Sequence, residues 1–263
     1  MTTPAALSTT VPPLIVVKLG GRTQGDPALP GALAALWRAT GGRVVVVHGG
    51  GDQISALQRL RGEEPVFIGG RRVTTDTALE LVRMVLSGLA NKQVVSALVA
   101  AGAPAVGISG EDAGLLRATP IDAATFGHSG TPAVVDPAVA HALLGAEFLP
   151  VISPVAAREE VHTAGAYNVN GDDAAAAIAA ALGAGELYLM ADVPGVLDAD
   201  RQRIPQLSLT AARALVASGV AGGGMAAKLD ACAAALAGGV GRVRIGDLAA
   251  LTVPDAGTAI VAG

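Results

Sequence analysis

The sequence predicts an α/β fold built on a parallel sheet, and three observations carry that reading. The first is Val16-Val17-Lys18-Leu19-Gly20-Gly21-Arg22, an apolar run that ends in a lysine and two glycines. A strand buried on both faces reads as such a continuous run, and its carboxyl end is where open α/β sheets bind ligands. The second is Arg43-Val44-Val45-Val46-Val47-His48-Gly49-Gly50-Gly51, which repeats the design one βαβ unit later. The third is the alternation of apolar runs with helix-period segments along the remaining chain, the pattern of repeated βα units. Glycine lacks Cβ, so the backbone at both strand ends can bend sharply and bring N–H groups close to an anion.

Each element follows in order. Residues 14–19 form the first strand, and Leu33, Leu36 and Trp37 place a crossover helix over 29–39 that returns the chain to a parallel strand at 43–48. Asp52 is placed to cap a helix over 53–60, which puts Gly49, Gly50 and Gly51 at a helix N-terminus whose free N–H groups favour anions. Residues 65–73 read as a short β-like excursion broken by Gly69-Gly70. Thr74 or Thr75 then opens a long helix to about residue 89, with a further helix over 91–101 and a strand over 104–109. The glycine-rich stretch 110–131 is read as hairpins or irregular structure, 136–144 as a helix, 147–152 as a strand and 154–167 as a hairpin. An alanine-rich helix begins near Asp172 and ends near Gly183. A strand follows over 186–190, then a turn over 192–197, helices over 210–218 and 225–237, and strands over 242–245 and 259–261.

Composition sets bounds on function. The chain has 263 residues, 51% hydrophobic and 15% charged, enough to bury one large core or two closely joined lobes. Aromatics at 2% and a net charge of −4 argue against base-stacking and phosphate-backbone surfaces, so no nucleic-acid partner is expected. Cys232 is the single cysteine, which excludes a disulfide framework and a cysteine-rich metal site within one chain. Residues 1–13 read as a flexible lead-in without the features of a signal peptide, and no apolar run approaches the ~18 residues that span a membrane. A cytoplasmic protein with no membrane partner is the expectation.

The absence of G-x-x-x-x-G-K-[ST] excludes a Walker loop, and Gly49, Gly50 and Gly51 lack dinucleotide spacing. Glycine loops after two strands, lysines near each end of the chain and a carboxylate at a helix start suit phosphoryl transfer, where positioning and charge neutralisation dominate. Taken alone, Lys228 reads as a solvated helix residue, Asp172 as a cap and His48 as a packed structural histidine; His128, His141 and His162 lack ligand spacing.

Seven stretches in order carry a resemblance to the amino acid kinase superfamily, and within it to the N-acetylglutamate kinases. They are Lys18-Leu19-Gly20-Gly21, His48-Gly49-Gly50-Gly51, Gly70-Arg71-Arg72-Val73-Thr74, Asn91-Lys92, Asn168-Val169-Asn170-Gly171-Asp172, Asp192-Val193-Pro194-Gly195-Val196-Leu197, and Gly223-Gly224-Met225 with Lys228. The resemblance covers residues 14–261 and implies a three-layer αβα sandwich on a mostly parallel sheet. It implies an N-terminal lobe over 14–170 for the acyl amino acid and a C-terminal lobe over 171–263 for ATP.

The implied roles are residue by residue. Lys18 and Lys228 resemble the lysines that neutralise the transferring phosphoryl group, and Asp172 the carboxylate that orients both. Gly20, Gly21, Gly50 and Gly51 resemble backbone donors around the phosphoryl group and acceptor. Arg72 resembles the arginine on the acceptor's α-carboxylate, and Asn168 the reader of its substituted amine, with Asn170 beside it. Asp192, Val193, Pro194, Gly195, Val196 and Leu197, and Gly222, Gly223, Gly224 and Met225, resemble the nucleotide-binding segments.

No acidic cluster looks like a metal cage, so no protein metal site is expected and Mg²⁺ should ride mainly on ATP phosphates. The implied reaction moves a phosphoryl group from ATP to N-acetyl-L-glutamate, a step of arginine synthesis. Carrier-linked α-aminoadipate and N-succinylglutamate are alternative acceptors, and a non-catalytic amino-acid or nucleotide sensor is the alternative of another class. Arginine-sensitive hexameric relatives carry a longer N-terminal helix that the proline-bearing lead-in would scarcely form, so a homodimer insensitive to arginine is expected. The sequence departs from the family pattern at Gly171, Asp173, Ala226, Ala227 and Ser129.

Overall fold

The computed structural model describes residues 12–20, 23–160 and 164–262. Strands β1 (Ile15–Leu19) and β2 (Val44–His48) are parallel neighbours joined by helix α1 (Leu29–Ala39), as the two valine-rich runs predict. Helix α2 (Gly51–Leu60) starts two residues earlier than the sequence suggests. Asp52 lies inside its first turn, Gly50 is the N-cap residue and no side chain caps the helix, which corrects the expectation that Asp52 does so.

Strands β3 (Phe67–Ile68) and β4 (Arg71–Arg72) form a small antiparallel hairpin. Its turn needs left-handed backbone at Gly69 and Gly70, φ 56° and 79°, which glycine adopts without strain. Thr75 caps α3 (Asp76–Val82), its Oγ1 accepting from Ala78 N at 3.1 Å. The helix continues through a π-helical segment, Arg83–Ala90, into α4 (Asn91–Ala100) without a break, where the sequence suggests two separate helices. π winding shifts the phase of the apolar stripe.

The chain then adds β5 (Ala105–Gly110), β6 (Leu116–Pro120), the short α5 (Ala123–Phe126) and β7 (Ser129–Val135), so the glycine-rich stretch is a β6–β7 antiparallel pair. Helix α6 (Ala138–Gly145) leads to β8 (Leu149–Arg158), longer than expected because it runs straight through Pro154. Near Pro154 the pairing changes partner: the first half of β8 lies parallel to β2 and β5, and the second half pairs with β6 and with β9 (Ala166–Val169). A residue without an N–H is tolerated where a ladder is interrupted. The rest of the chain supplies α7 (Gly171–Ala181), β10 (Glu186–Met190), β11 (Gln206–Ser208), α8 (Leu209–Ala217), α9 (Gly223–Ala237), β12 (Arg242–Gly246), α10 (Ala249–Thr252) and β13 (Thr258–Val261). Neither β11 nor α10 is expected from the sequence.

These strands form one 11-stranded sheet, with β5, β8, β2, β1, β10 and β12 mutually parallel in that order. Helices cover both faces, giving a three-layer αβα sandwich. Alternation along β1 explains the division: Val16 packs with α7, α8 and α9 on one face, while Ile15, Val17 and Leu19 pack with α1 and α4 on the other. A third apolar cluster packs Ile54, Val82, Val85 and Leu86 against Val155 and Ala166. Among the described residues no helix is long and apolar enough to cross a membrane.

Candidate active site

The parity that sends Val16 toward α7 also sends Lys18 there. Helix α7 begins immediately after β9, and Asn170 caps it, its Oδ1 accepting from Asp172 N at 2.8 Å and from Asp173 N at 3.4 Å. This fixes Asp172 in the first turn, at the carboxyl end of β1. The alanine-rich faces of α7 and α9 allow close approach, because small side chains shorten the interhelical distance; a Cβ at Gly238 would stand 2.6 Å from Ala180 Cβ. Lys228, one turn into α9, thereby reaches the same carboxylate.

Lys18 Nζ lies 2.9 Å from Asp172 Oδ1, and Lys228 Nζ donates to Oδ1 at 3.0 Å and Oδ2 at 3.1 Å. Lys18 is 8% exposed and Asp172 5%, so the centre is nearly dry. Burial pushes the Asp172 carboxyl up, but the Lys18 and Lys228 ammoniums together outweigh it and hold the group below the ordinary carboxylate range. Burial first, and then the Lys18 charge, lower Lys228, against the raising effect of Asp172. Two cations share one anion, leaving net positive charge at the end of β1. Gly171 belongs to this geometry: a Cβ there would lie 3.1 Å from Lys18 Cε.

The glycine loops stand on either side of that centre. Among the described residues no side chain caps helix α2, and Gly50 and Gly51 at its N-terminus line the neighbouring cavity. Gln24 ties the loops together, its Nε2 donating to Gly49 O at 2.9 Å and Gly20 O at 3.3 Å. Gly21 lies outside the described residues. Beneath the second loop His48 is fully buried, bonded to Gly49 O through Nδ1 at 3.0 Å and to Asn91 Nδ2 through Nε2 at 3.1 Å. Burial lowers its pKa to about 4, so the ring is neutral and structural.

A cavity of about 140 Å³ opens beside the second loop and brings Gly50, Gly51, Arg72, Asn168 and Asn170 together. Arg72 is 7% exposed, which excludes a surface role. Its Nη2 donates to Gly51 O at 2.9 Å and Ser55 Oγ at 2.8 Å, Nη1 donates to Gln58 Oε1, and the guanidinium lies 4.6 Å from the Phe67 ring centroid. Burial, with Arg59 nearby, lowers its pKa to about 10, and it remains charged. Its neighbour Arg71 pairs with Asp173 at 2.7 Å and ties the hairpin to the helix that carries Asp172.

Sequence reasoning misses Ser55, Gln58, Gln24 and the Arg71–Asp173 pair. Ser55 and Gln58 fall four and seven residues after Gly51, on the buried face of α2. Polar residues on an apolar helical face are the signal that could have found them.

The expected nucleotide segments lie at the carboxyl ends of β10 and at the start of α9. Asp192 lines a cavity of about 240 Å³ with Thr23, Asp26 and Asp247. Val196 is fully buried, and its N–H donates to Thr258 Oγ1 at 2.8 Å. Gly195 passes so close that a Cβ would meet Thr258 Oγ1 at 2.5 Å. In this turn Gly195 and Val196 are packed against β13, while Val193 packs partly buried against the main core; Pro194 and Leu197 complete the turn, and Leu197 bridges to Arg203. Among the described residues nothing lies within 4 Å of the Cβ positions of Gly222, Gly223 and Gly224 and no side chain caps α9, leaving a bare helix N-terminus one turn from Lys228. Met225 packs against the core.

Residues 13–247 match the model of the Amino acid kinase family. The chain belongs to the amino acid kinase family. An acetylglutamate kinase of Granulibacter bethesdensis is 44% identical over 241 residues, covering 86% of this chain and 80% of that protein. Another, from Azorhizobium caulinodans, is 41% identical over 249 residues, covering 89% and 82%. Among solved structures, a Streptococcus mutans protein superposes with a TM-score of 0.85 at 28% identity, covering 95% of this chain and 98% of its own. The αβα sandwich expected from the sequence motifs is therefore the fold of this family.

Proposed function

We infer that this amino acid kinase family member transfers the γ-phosphoryl group of ATP to the side-chain carboxylate of N-acetyl-L-glutamate, giving N-acetylglutamyl 5-phosphate and ADP in arginine biosynthesis. The observation that carries this reading is the Lys18–Asp172–Lys228 centre between two glycine cradles, in a chain 44% identical to an acetylglutamate kinase.

A carboxylate and a triphosphate repel one another, so in-line attack needs positive charge on both sides of the transferring group. Lys18, on β1 beside the acceptor cavity, and Lys228, beside the bare N-terminus of α9, are suited to that task. Asp172 keeps both ammoniums charged and aimed. The acceptor oxygen bonds to the γ-phosphorus as the β–γ bridging bond breaks, and ADP leaves with that electron pair. N–H groups of Gly20 and of the Gly50 and Gly51 turn support the phosphoryl oxygens, as Gly21 does in the family pattern.

Arg72 binds the acceptor's α-carboxylate. Its fork is held by the neutral acceptors Gln58, Ser55 and Gly51 O, and an anion, being the stronger acceptor, displaces some of them. Among the described residues no three His, Cys, Asp or Glu side chains are grouped so that they could hold a metal ion. Mg²⁺ would take its ligands mainly from ATP phosphates and supply further charge neutralisation. Residues 14–170 serve as the acyl amino acid lobe and 171–263 as the ATP lobe.

A homodimer completes the proposal, supported by Met84, Leu89 and Val99, exposed by 56%, 54% and 54% along the continuous α3–α4 helix. A carrier-linked acceptor would need unpaired basic residues near the cavity mouth, but Arg71 is paired with Asp173 and Arg83 with Glu111. The test is ATP consumption with hydroxylamine trapping of the acyl phosphate, run with N-acetylglutamate, N-succinylglutamate and carrier-linked α-aminoadipate. Hydroxamate from N-acetylglutamate at the highest kcat/KM is expected. Turnover confined to another acceptor, or none with any, would overturn the reading.

A further inference from the structure

At the acceptor cavity, which Asn168 and Ser129 line, three polar side chains from separate parts of the chain form a single hydrogen-bonded line. Asn168, on β9, lies within 3.0 Å of Thr74 Oγ1 through its side-chain amide. Thr74 Oγ1 lies 2.9 Å from Ser129 Oγ, on β7. Ser129 Oγ in turn donates to the Arg72 carbonyl at the end of β4. Thr74 is fully buried and Ser129 3% exposed. The backbone holds Thr74 in place from both directions: its N–H donates to Phe126 O at 3.0 Å and its carbonyl accepts from His128 N at 2.7 Å.

Counting protons fixes the direction of this line. Three links, Asn168 to Thr74, Thr74 to Ser129 and Ser129 to the carbonyl, need three donated protons. The two hydroxyls supply two, and a carbonyl oxygen can only accept. The third must come from Asn168, so its NH₂ faces Thr74. The reversed amide would spend the Thr74 proton on Asn168 Oδ1 and leave two hydroxyl oxygens in contact with no hydrogen between them. With the NH₂ turned inward, Oδ1 is the polar atom left for the cavity that Asn168 lines, and it accepts no bond from the described residues.

We propose that Thr74, with Ser129 completing the line, is a positioning residue that locks the Asn168 amide with its oxygen toward the acceptor, so that the enzyme demands an N–H on the acceptor's α-nitrogen. The proposal rests on the acceptor assignment made above and deepens it: it defines the acceptor class as acylated amino acids that retain the amide proton, and excludes esters of 2-hydroxy acids. A site built to accept from a donor rejects an isostere that presents a lone pair there, because a buried oxygen is then left facing another oxygen.

The test compares N-acetyl-L-glutamate with 2-acetoxyglutarate, in which an ester oxygen replaces the N–H, in the wild type and in Thr74→Val, Thr74→Ser and Ser129→Ala. The wild type should prefer N-acetylglutamate by at least ~30-fold in kcat/KM. Thr74→Val frees the amide to turn over: KM for N-acetylglutamate should rise about tenfold, with kcat within about twofold and KM for ATP unchanged, and the preference should fall below about fivefold. Thr74→Ser should restore both values. Ser129→Ala should weaken the preference as well, because the Thr74 hydroxyl then has only the Arg72 carbonyl, 3.5 Å away, to donate to and is free to donate to Asn168 Oδ1 instead.

A preference that survives Thr74→Val in a folded variant with normal KM for ATP, or one that Thr74→Ser does not restore, overturns the proposal. A readout without turnover separates it from the functional assignment: the Asn168 side-chain NH₂ protons, followed by NMR in the free enzyme, should be protected from exchange in the wild type and exposed in Thr74→Val. Protection in an enzyme that does not use N-acetylglutamate would condemn the acceptor assignment and leave the positioning role standing. An unprotected wild-type amide would sink the positioning role itself.

Discussion

Lys228, which taken alone looks like a solvated helix residue in the sequence, and Lys18, at the end of the first strand, become buried partners of one aspartate, and the energetics of that arrangement dictate their mutants. Lys18→Ala or Lys228→Ala removes one of the two charges proposed to face the transferring group, and kcat should fall by at least ~10²-fold, with ATP binding changed less. Steady-state kinetics on folded variants checks this, and near-normal turnover would remove that lysine from the chemistry. Arg72 is the second residue-scale case. If it holds the acceptor's carboxylate, Arg72→Ala leaves a buried anion unpartnered at a cost of about 2–5 kcal/mol, a loss of roughly 30- to 4000-fold in kcat/KM for the acceptor. Arg72→Lys should recover only part, since a point charge cannot make several directed bonds at once. Because Arg72 also holds Gln58 and Ser55, KM for ATP is the control: an equal rise in both constants would mean damage to the lobe, and no rise for the acceptor would discard the assignment.

At the scale of elements, the end of β2 is where a buried histidine supports the second glycine loop. The folded-state pKa of His48 is about 4 against an ordinary 6.5, lowered chiefly by burial, with the Lys92 and Lys18 charges adding and the Gly49 bond opposing. The unfolded chain therefore binds more protons between these two values. The stability held in the neutral ring is fully present above pH 6.5 and is lost as pH falls toward 4, by about 3 kcal/mol at most. Denaturant unfolding of the wild type and His48→Gln at pH 7 and pH 4.5 should show the gap between them shrinking at the lower pH; a constant gap would mean that the ring is not held neutral. Elements also show where sequence patterns mislead. The sequence pattern ends one strand at residue 152 and starts a hairpin at Pro154, yet β8 passes through both because the ladder changes partners there. The gap between the expected helices near residue 90 disappears because π winding keeps the chain helical while resetting which residues face inward.

For the whole molecule, one sheet joins the proposed acceptor and nucleotide lobes, with β1 hydrogen-bonded to β2 on one side and β10 on the other. Lys18 stands on that shared strand, so the phosphoryl group would be transferred over the middle of the sheet instead of across a hinge between separate bodies. The proposed homodimer predicts a particle of twice the chain mass by light scattering, and Leu89→Glu, on the exposed side of the long helix, should shift it toward monomer. A monomeric wild type at micromolar concentration would exclude that assembly.

By itself the sequence determined the βα alternation, the two strand-end glycine loops and the order of the motifs, because these depend on local periodicity and on backbone freedom that individual residues report directly. Val16 to Gly20 and Val44 to Gly51 were legible in that way, and so was the place of Asp172 at a helix start. Only the tertiary structure decided what those residues face. Strand alternation and the close α7–α9 contact converge Lys18, Asp172 and Lys228. The buried face of α2 supplies the partners of Arg72. Ser129, visible in the sequence only as a departure from pattern, becomes a link between Thr74 and the Arg72 carbonyl. The physical reason is that hydrogen bonds and charges act over about 3 Å, and the partners lie far apart in the chain, 94 residues for Thr74 and Asn168 and 56 for Lys228 and Asp172. No local pattern encodes such distances; the packing of the sheet and its helices creates them.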